Sequence, residues 1–108
     1  MLVDENRVDQ AMTYLASTDE TFAQARGAML RTEYLADVAE SMVYKSIQGG
    51  SVEDKKRTAK IAPETATAME EHFKAVVEFE KLKARRAREV LVIELWRSVN
   101  ANRRVGNI

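Results

Sequence analysis

His72 is the only imidazole in the 108 residues, and it sits in the run Glu70-Glu71-His72. Two metal chemistries could use such a residue. A di-iron carboxylate bundle takes a Glu-x-x-His pair from each of two helices, and a zinc protease takes two histidines four residues apart on one helix. One histidine satisfies neither spacing. Without cysteine there is no thiolate ligand and no disulfide. Nucleophilic catalysis by Ser or Thr needs a neighbouring base, and His72 is the single candidate. Gly49-Gly50 lacks the Gly-Lys-Ser/Thr ending of a phosphate loop. The chain is therefore expected to be no enzyme, to hold no cofactor or metal, and to keep His72 as a packed or solvated imidazole.

The cations offer a different chemistry. Lys45, Lys55, Lys56, Arg57 and Lys60 gather around one prospective turn. Lys81, Arg85 and Arg88 fall on one helical face at steps of four and three, while Arg86, Arg97 and Arg104 line a second. Cations so spaced can follow a phosphate backbone, releasing counterions, with affinity that falls as salt rises. Tyr44 beside Lys45, and Trp96 beside Arg97, set an aromatic next to a cation, a pairing that stacks bases in single strands. The candidate nucleic-acid-binding residues are thus Tyr44, Lys45, Lys55, Lys56, Arg57, Lys60, Arg85, Arg88, Trp96 and Arg97. The structural alternative for each is a solvated cation or a core aromatic.

Helices must position these groups. A first, short helix over 3–16 repeats Val8, Ala11, Met12 and Leu15 at three- and four-residue steps. Ser17 with Glu20 fits a capping box and predicts a new start near Thr18. The second helix, 18–48, carries a seam of Phe22, Ala25, Met29, Thr32, Ala36, Ala39 and Val43 without a slip. Leu35, Met42 and Ile47 widen it, and Gly49 and Gly50 end it. Ser51 with Asp54 caps a basic connector helix over 51–61. Pro63 closes that element and opens the last one, because it disfavours helix at Ala62 and suits a first turn.

The last helix, 64–104, is about 40 residues, or roughly 60 Å, long. Turned through 100° per residue, it shows two apolar faces. Met69, Phe73, Val76, Val77, Ala84, Ala87, Leu91 and Leu95 share one, which is expected to pack on the Phe22 to Val43 seam. Glu80 and Glu94 interrupt it, and buried there they need partners such as Arg26 or Arg31. Phe79, Leu82, Val90 and Ile93 gather on another face. A surface helix of a monomer has one stripe, so this second patch is expected to meet another subunit, the alternative being the N-terminal helix.

Composition agrees with a single domain: 45% of the residues are apolar and 31% charged, with one proline. No run reaches the length of a membrane span, and residues 1–30 hold no signal-peptide core, which suggests the cytoplasm. The net charge of zero hides an asymmetry, with eight acids and three bases in residues 1–40 against two acids and eight bases in 81–104. Opposed ends suit contact between subunits, or a basic surface turned to a polyanion.

The segment Ile93-Glu94-Leu95-Trp96-Arg97-Ser98-Val99-Asn100-Ala101-Asn102-Arg103-Arg104 resembles the end of the last long helix in a group of small phage-encoded helical proteins, where a Glu-x-Trp-Arg element precedes Ala-Asn and a basic residue. The Ser51-Val52 start of the connector, with charged residues leading to Pro63, is similar too. This group resembles the UvsY family, the recombination mediators of T-even phages, which are oligomeric helical proteins that bind single-stranded DNA and help load a recombinase in place of the single-strand-binding protein. In that family a Lys-x-Arg element before a glycine-containing turn contacts DNA. Here Tyr44-Lys45-Ser46-Ile47 stands before Gly49, so Lys45 matches the lysine, Ile47 replaces the arginine, and the connector cations Lys55 to Lys60 are left to share the contact.

The expectation is an all-α fold, an antiparallel hairpin of long helices with short N-terminal and connector helices, assembled into a homo-oligomeric bundle or ring. Its expected function is that of a phage recombination or replication accessory that binds single-stranded DNA non-specifically. A recombinase or single-strand-binding protein would face its acidic half, and no membrane would be involved. The alternative is a structural or adaptor protein whose helical seams bind only other proteins.

Overall fold

The computed structural model describes residues 3–106, and of Arg104 and Val105 the backbone alone. Three helices account for nearly all of it: α1 (Glu5–Ser46), α2 (Val52–Ile61) and α3 (Pro63–Gly106). Among the described residues there is no strand, and no helix is long and apolar enough to cross a membrane. The fold is all-α.

The predicted break near Thr18 is absent. Helix α1 runs through it because the hydroxyls of Ser17 and Thr18 turn back into the helix instead of capping a new one. Each donates to the Tyr14 carbonyl, at 3.1 and 2.7 Å. Such i−3 and i−4 bonds let Ser and Thr remain inside a helix, and no proline interrupts residues 5–46. The expected elements 3–16 and 18–48 are therefore one.

The other boundaries follow the predicted logic. Gly49 and Gly50 adopt φ of 80° and 93°, a left-handed region that glycine enters without steric cost. The Ser51 hydroxyl accepts from the Asp54 N–H at 3.1 Å and caps α2. Ala62 is extended, with ψ of 147°, as the residue before a proline should be. Thr65 fixes the corner that follows: its buried hydroxyl donates to the Ala59 carbonyl at 2.6 Å, which also accepts the longer 3.4 Å bond from the Ala62 N–H at the end of α2.

The chain divides into two compact units. One comprises residues 1–23 and 80–108, the other 24–79. In each, α1 and α3 run antiparallel. In the first unit Arg7 meets Glu89 and Asp19 meets Arg86. In the second, Thr32 meets His72, and Val43 and Ser46 share a cleft with Glu64.

The core is thin. Among the described residues the buried apolar ones are Val8 and Ala11 in the first unit and Ala36, Ala59, Ala62 and Phe79 in the second. The predicted α1 seam is correct, since Phe22, Ala25, Met29, Thr32, Ala36, Ala39 and Val43 are all buried or half-buried. Leu35 and Met42, expected to widen it, are exposed.

The two faces of α3 are exchanged relative to expectation. Phe79 is buried and Leu82 and Ile93 are half-buried, whereas Phe73, Val77, Ala84, Ala87, Leu91 and Leu95 are exposed. Val90 is also exposed, while Met69 and Val76 sit half-buried at the margin. The inward face was hard to read because polar residues interrupt it. His72, Arg86 and Glu89 all point inward and find partners on α1. Glu80 and Glu94, expected to be buried carboxylates, are exposed; the buried one is Glu89, with Arg7 as its partner.

Candidate nucleic-acid interface

In the unit of residues 24–79, the last turn of α1 and the body of α2 bring three predicted residues to one place. Tyr44, Lys45 and Lys56 line a cleft of about 280 Å³ with Glu40, Ser41 and Ala59. The reason is local. Ala59 is fully buried and fixes which side of α2 faces inward. At 100° per residue, Lys56 and Lys60 then lie one turn apart on the side next to that inward face, and Arg57 lies further out. Lys55 is half-buried, whereas Lys45, Lys56, Arg57 and Lys60 are exposed.

None of Lys45, Lys55, Lys56, Arg57 and Lys60 forms an ion pair among the described residues. The nearest acids are Glu53 and Asp54 in the first turn of α2 and Glu40, which lines the same cleft. Tyr44 is half-buried there and lines the cleft beside the two lysines. An aromatic face between flexible cations can stack a base and neutralise the adjoining phosphates.

The remaining candidates belong to the other unit and are differently employed. The Arg85 guanidinium lies 4.1 Å above the Tyr14 ring, a cation–π contact that holds it against α1. Arg88 and Arg97 are exposed. Trp96 is half-buried in a cleft of about 190 Å³ whose other walls are Glu5, Val8, Asp9 and Met12. Two carboxylates beside the indole give it an acidic neighbourhood, which disfavours a phosphate there. Arg104 cannot be placed with the others, because its side chain lies outside the described residues.

Arg86, grouped by spacing with Arg97 and Arg104, is turned inward. Its guanidinium donates to the Leu15 carbonyl at 3.0 Å, the Thr18 hydroxyl at 2.6 Å and the Asp19 carboxylate at 2.6 Å. It also lies 5.1 Å from the centre of the Phe22 ring. The Thr18 hydroxyl donates its hydrogen bond to the Tyr14 carbonyl, and its oxygen lone pair accepts from Arg86.

Sequence reasoning missed the Arg7–Glu89 pair. The guanidinium meets both carboxylate oxygens, at 2.7 and 3.0 Å. Hydrogen bonding to Arg7 holds the Glu89 carboxyl below the ordinary range, and the charges of Arg7, Arg85 and Arg88 act in the same direction against the cost of burial. The Arg7 pKa is raised in return, chiefly by the same hydrogen bonds. The signal for this pair was a lone acid within a basic run, at a helical step from Arg86.

His72 is half-buried with Nδ1 3.0 Å from the Thr32 hydroxyl oxygen. That hydroxyl also lies 2.8 Å from the Ala28 carbonyl, to which it donates. The Met29 carbonyl lies 3.1 Å from the same hydroxyl, so Thr32 ties the imidazole to α1 in either tautomer. Among the described residues no group of three or more histidines, cysteines or acids could hold a metal ion.

No protein-family model, curated protein or solved structure matches the chain.

Proposed function

We propose that this protein is a non-enzymatic accessory of DNA recombination or replication that binds single-stranded DNA non-specifically, as a homo-oligomer, through the face formed by the end of α1 and by α2. The observation that carries the reading is the convergence of Tyr44, Lys45 and Lys56 on one cleft, with Lys55, Arg57 and Lys60 on the same short helix and none of the five cations in an ion pair among the described residues. A non-specific reader needs no more than this, because every base has a face to stack and every nucleotide a phosphate. One protomer offers few contacts, and repetition of the face in an oligomer multiplies them through effective concentration. The resemblance of Lys45 before a glycine turn to the mediator pattern points the same way. The test is binding of a labelled single-stranded oligonucleotide at low and moderate salt. Salt-sensitive binding supports the proposal, and absence of binding at low salt removes it.

A second reading rests on a different observation. Within the unit of residues 24–79, Leu30, Tyr34, Leu35, Phe73 and Val77 are all at least 50% exposed, and apolar side chains left in water in such number favour contact with protein. In that reading the chain is a structural or adaptor protein. Replacing Lys55, Lys56, Arg57 and Lys60 together separates the two, because an adaptor keeps its protein partners and a DNA-binding protein loses its ligand.

A further inference from the structure

Glu40 is an acid among the cations that gather at the end of α1 and on α2. It lines the cleft with Tyr44, Lys45 and Lys56 and is half-buried. Neither lysine pairs with it, and it makes no hydrogen bond or ion pair among the described residues. A carboxylate set against a phosphate repels it, so an unpaired acid inside a phosphate-binding cleft works against binding unless it faces another part of the ligand. All the residues concerned belong to the single unit of residues 24–79.

Their arrangement separates the acid from the cations. Glu40 and Tyr44 stand one turn apart on α1, where side chains four residues apart are neighbours, and both are half-buried. Ser41 and Lys45 form the adjoining row and are both exposed. Lys56 joins them from α2, also exposed, and the fully buried Ala59 is the deepest of the lining residues. The cations are thus on the outer rim, and the acid and the aromatic lie further in. A nucleotide is divided in the same way, with an anionic phosphate at one end and an uncharged base at the other. Phosphates held by Lys45 and Lys56 direct a base towards Tyr44 and Glu40.

We infer that the cleft takes one base of a single strand against Tyr44, and that Glu40 is a specificity-determining residue that favours guanine. A carboxylate accepts hydrogen bonds and donates none, so it sorts bases by their donors. Guanine presents two adjacent donors, N1–H and the N2 amine, which match the two carboxylate oxygens. Cytosine and adenine present one amine beside a ring nitrogen that accepts. Thymine sets its single N–H between two carbonyl oxygens, which the carboxylate repels. These edges are open to a protein only in an unpaired strand. Every base can still stack and every phosphate can still bind, so any strand is held and guanine is held more tightly. A cleft of about 280 Å³ is near the lower end for small-ligand sites, a size that suits one base.

This inference deepens the nucleic-acid part of the proposed function and rests on it. The test compares three labelled strands of equal length by fluorescence anisotropy with the full-length protein: all thymine, thymine with guanine at every third position, and the same strand with inosine for guanine. Inosine keeps N1–H and lacks the N2 amine. The guanine strand should bind at least about tenfold more tightly than thymine, as a two-bond match to a base edge provides, with inosine between them. Glu40→Gln, checked for unchanged helicity by circular dichroism, should lose most of the guanine preference while binding the thymine strand more tightly, because a negative charge has left the cleft. Equal, salt-sensitive binding of guanine and thymine strands by the parent would overturn the inference and leave the binding of single strands standing. A guanine preference that survives in Glu40→Gln would overturn the role of Glu40. Tighter binding of all three strands by the variant in equal proportion would show Glu40 to be a repelling charge alone and overturn it too. No binding of any strand at low salt would remove the proposed function, and this inference with it.

Discussion

Arg7 holds Glu89 by two parallel hydrogen bonds, Nη1 to Oε2 at 2.7 Å and Nη2 to Oε1 at 3.0 Å, joining the start of α1 to α3 across 82 positions of sequence. Glu89 is 7% exposed, and its carboxyl is held below the ordinary range by Arg7 first and by the surrounding arginines second. A depressed folded-state pKa contributes stability that is complete above the unfolded value and is lost as pH falls through the folded one. Acid unfolding should therefore include this group. Glu89→Gln should lower stability at neutral pH and flatten the decline between neutral and acidic pH. Chemical denaturation at a series of pH values measures both effects; a variant whose pH profile parallels the parent's would contradict the role given to Glu89.

Arg86 makes three hydrogen bonds to α1, to Leu15, Thr18 and Asp19. Its removal leaves the half-buried Thr18 hydroxyl without this donor and Asp19 without its ion pair. Arg86→Ala should cost about 2–3 kcal/mol, and Arg86→Lys should restore little of it, since one ammonium cannot reproduce the fork. Urea unfolding of the two variants supplies the comparison.

Two phenylalanines of α3 distinguish its faces. Phe79 is 9% exposed and Phe73 53% exposed. Phe79→Ala should cost about 3 kcal/mol, the lower end of the range for a buried ring. Phe73→Ala should cost well under that, since its ring is already half in water. Equal losses would mean that the inward face of α3 has been wrongly assigned.

Caps provide a finer comparison. Ser51 accepts from Asp54 at the start of α2, so Ser51→Ala should lose about 1 kcal/mol. Ser17 lies within α1 and only returns its proton to Tyr14, so Ser17→Ala should change stability by less than about 0.5 kcal/mol. Thermal melts of the pair decide it.

Ser17 also shows where the sequence was ambiguous. A Ser followed three residues later by Glu reads as a cap, yet the same hydroxyl can bond backward, and only the surroundings of residues 15–22 select one outcome. Arg86, reaching the Leu15 carbonyl and the Thr18 hydroxyl, is part of those surroundings and is distant in sequence. The glycine turn, the Ser51 cap and the Pro63 boundary were legible because each depends on residues within a few positions. The α1 seam was legible too, its small and apolar residues recurring without interruption. The inward face of α3 was not, since hydrophobicity favoured the side carrying Phe73, Leu91 and Leu95 over one built from His72, Phe79, Arg86 and Glu89. Among the candidate site residues, spacing placed Lys56 and Lys60 one turn apart on α2, but it could not tell Lys45, without an ion pair among the described residues, from Arg86, engaged three times over.

The most direct test of the account is fluorescence anisotropy of a labelled single-stranded oligonucleotide titrated with the protein and with a Lys45→Glu, Lys56→Glu variant, at low and moderate salt. The account predicts binding by the parent that weakens steeply with salt, and at least about a tenfold loss in the variant, as removing two phosphate contacts and adding two repulsions requires. Circular dichroism and scattering mass should be unchanged in the variant. Equal binding by the two proteins, or none by the parent at low salt, would contradict it.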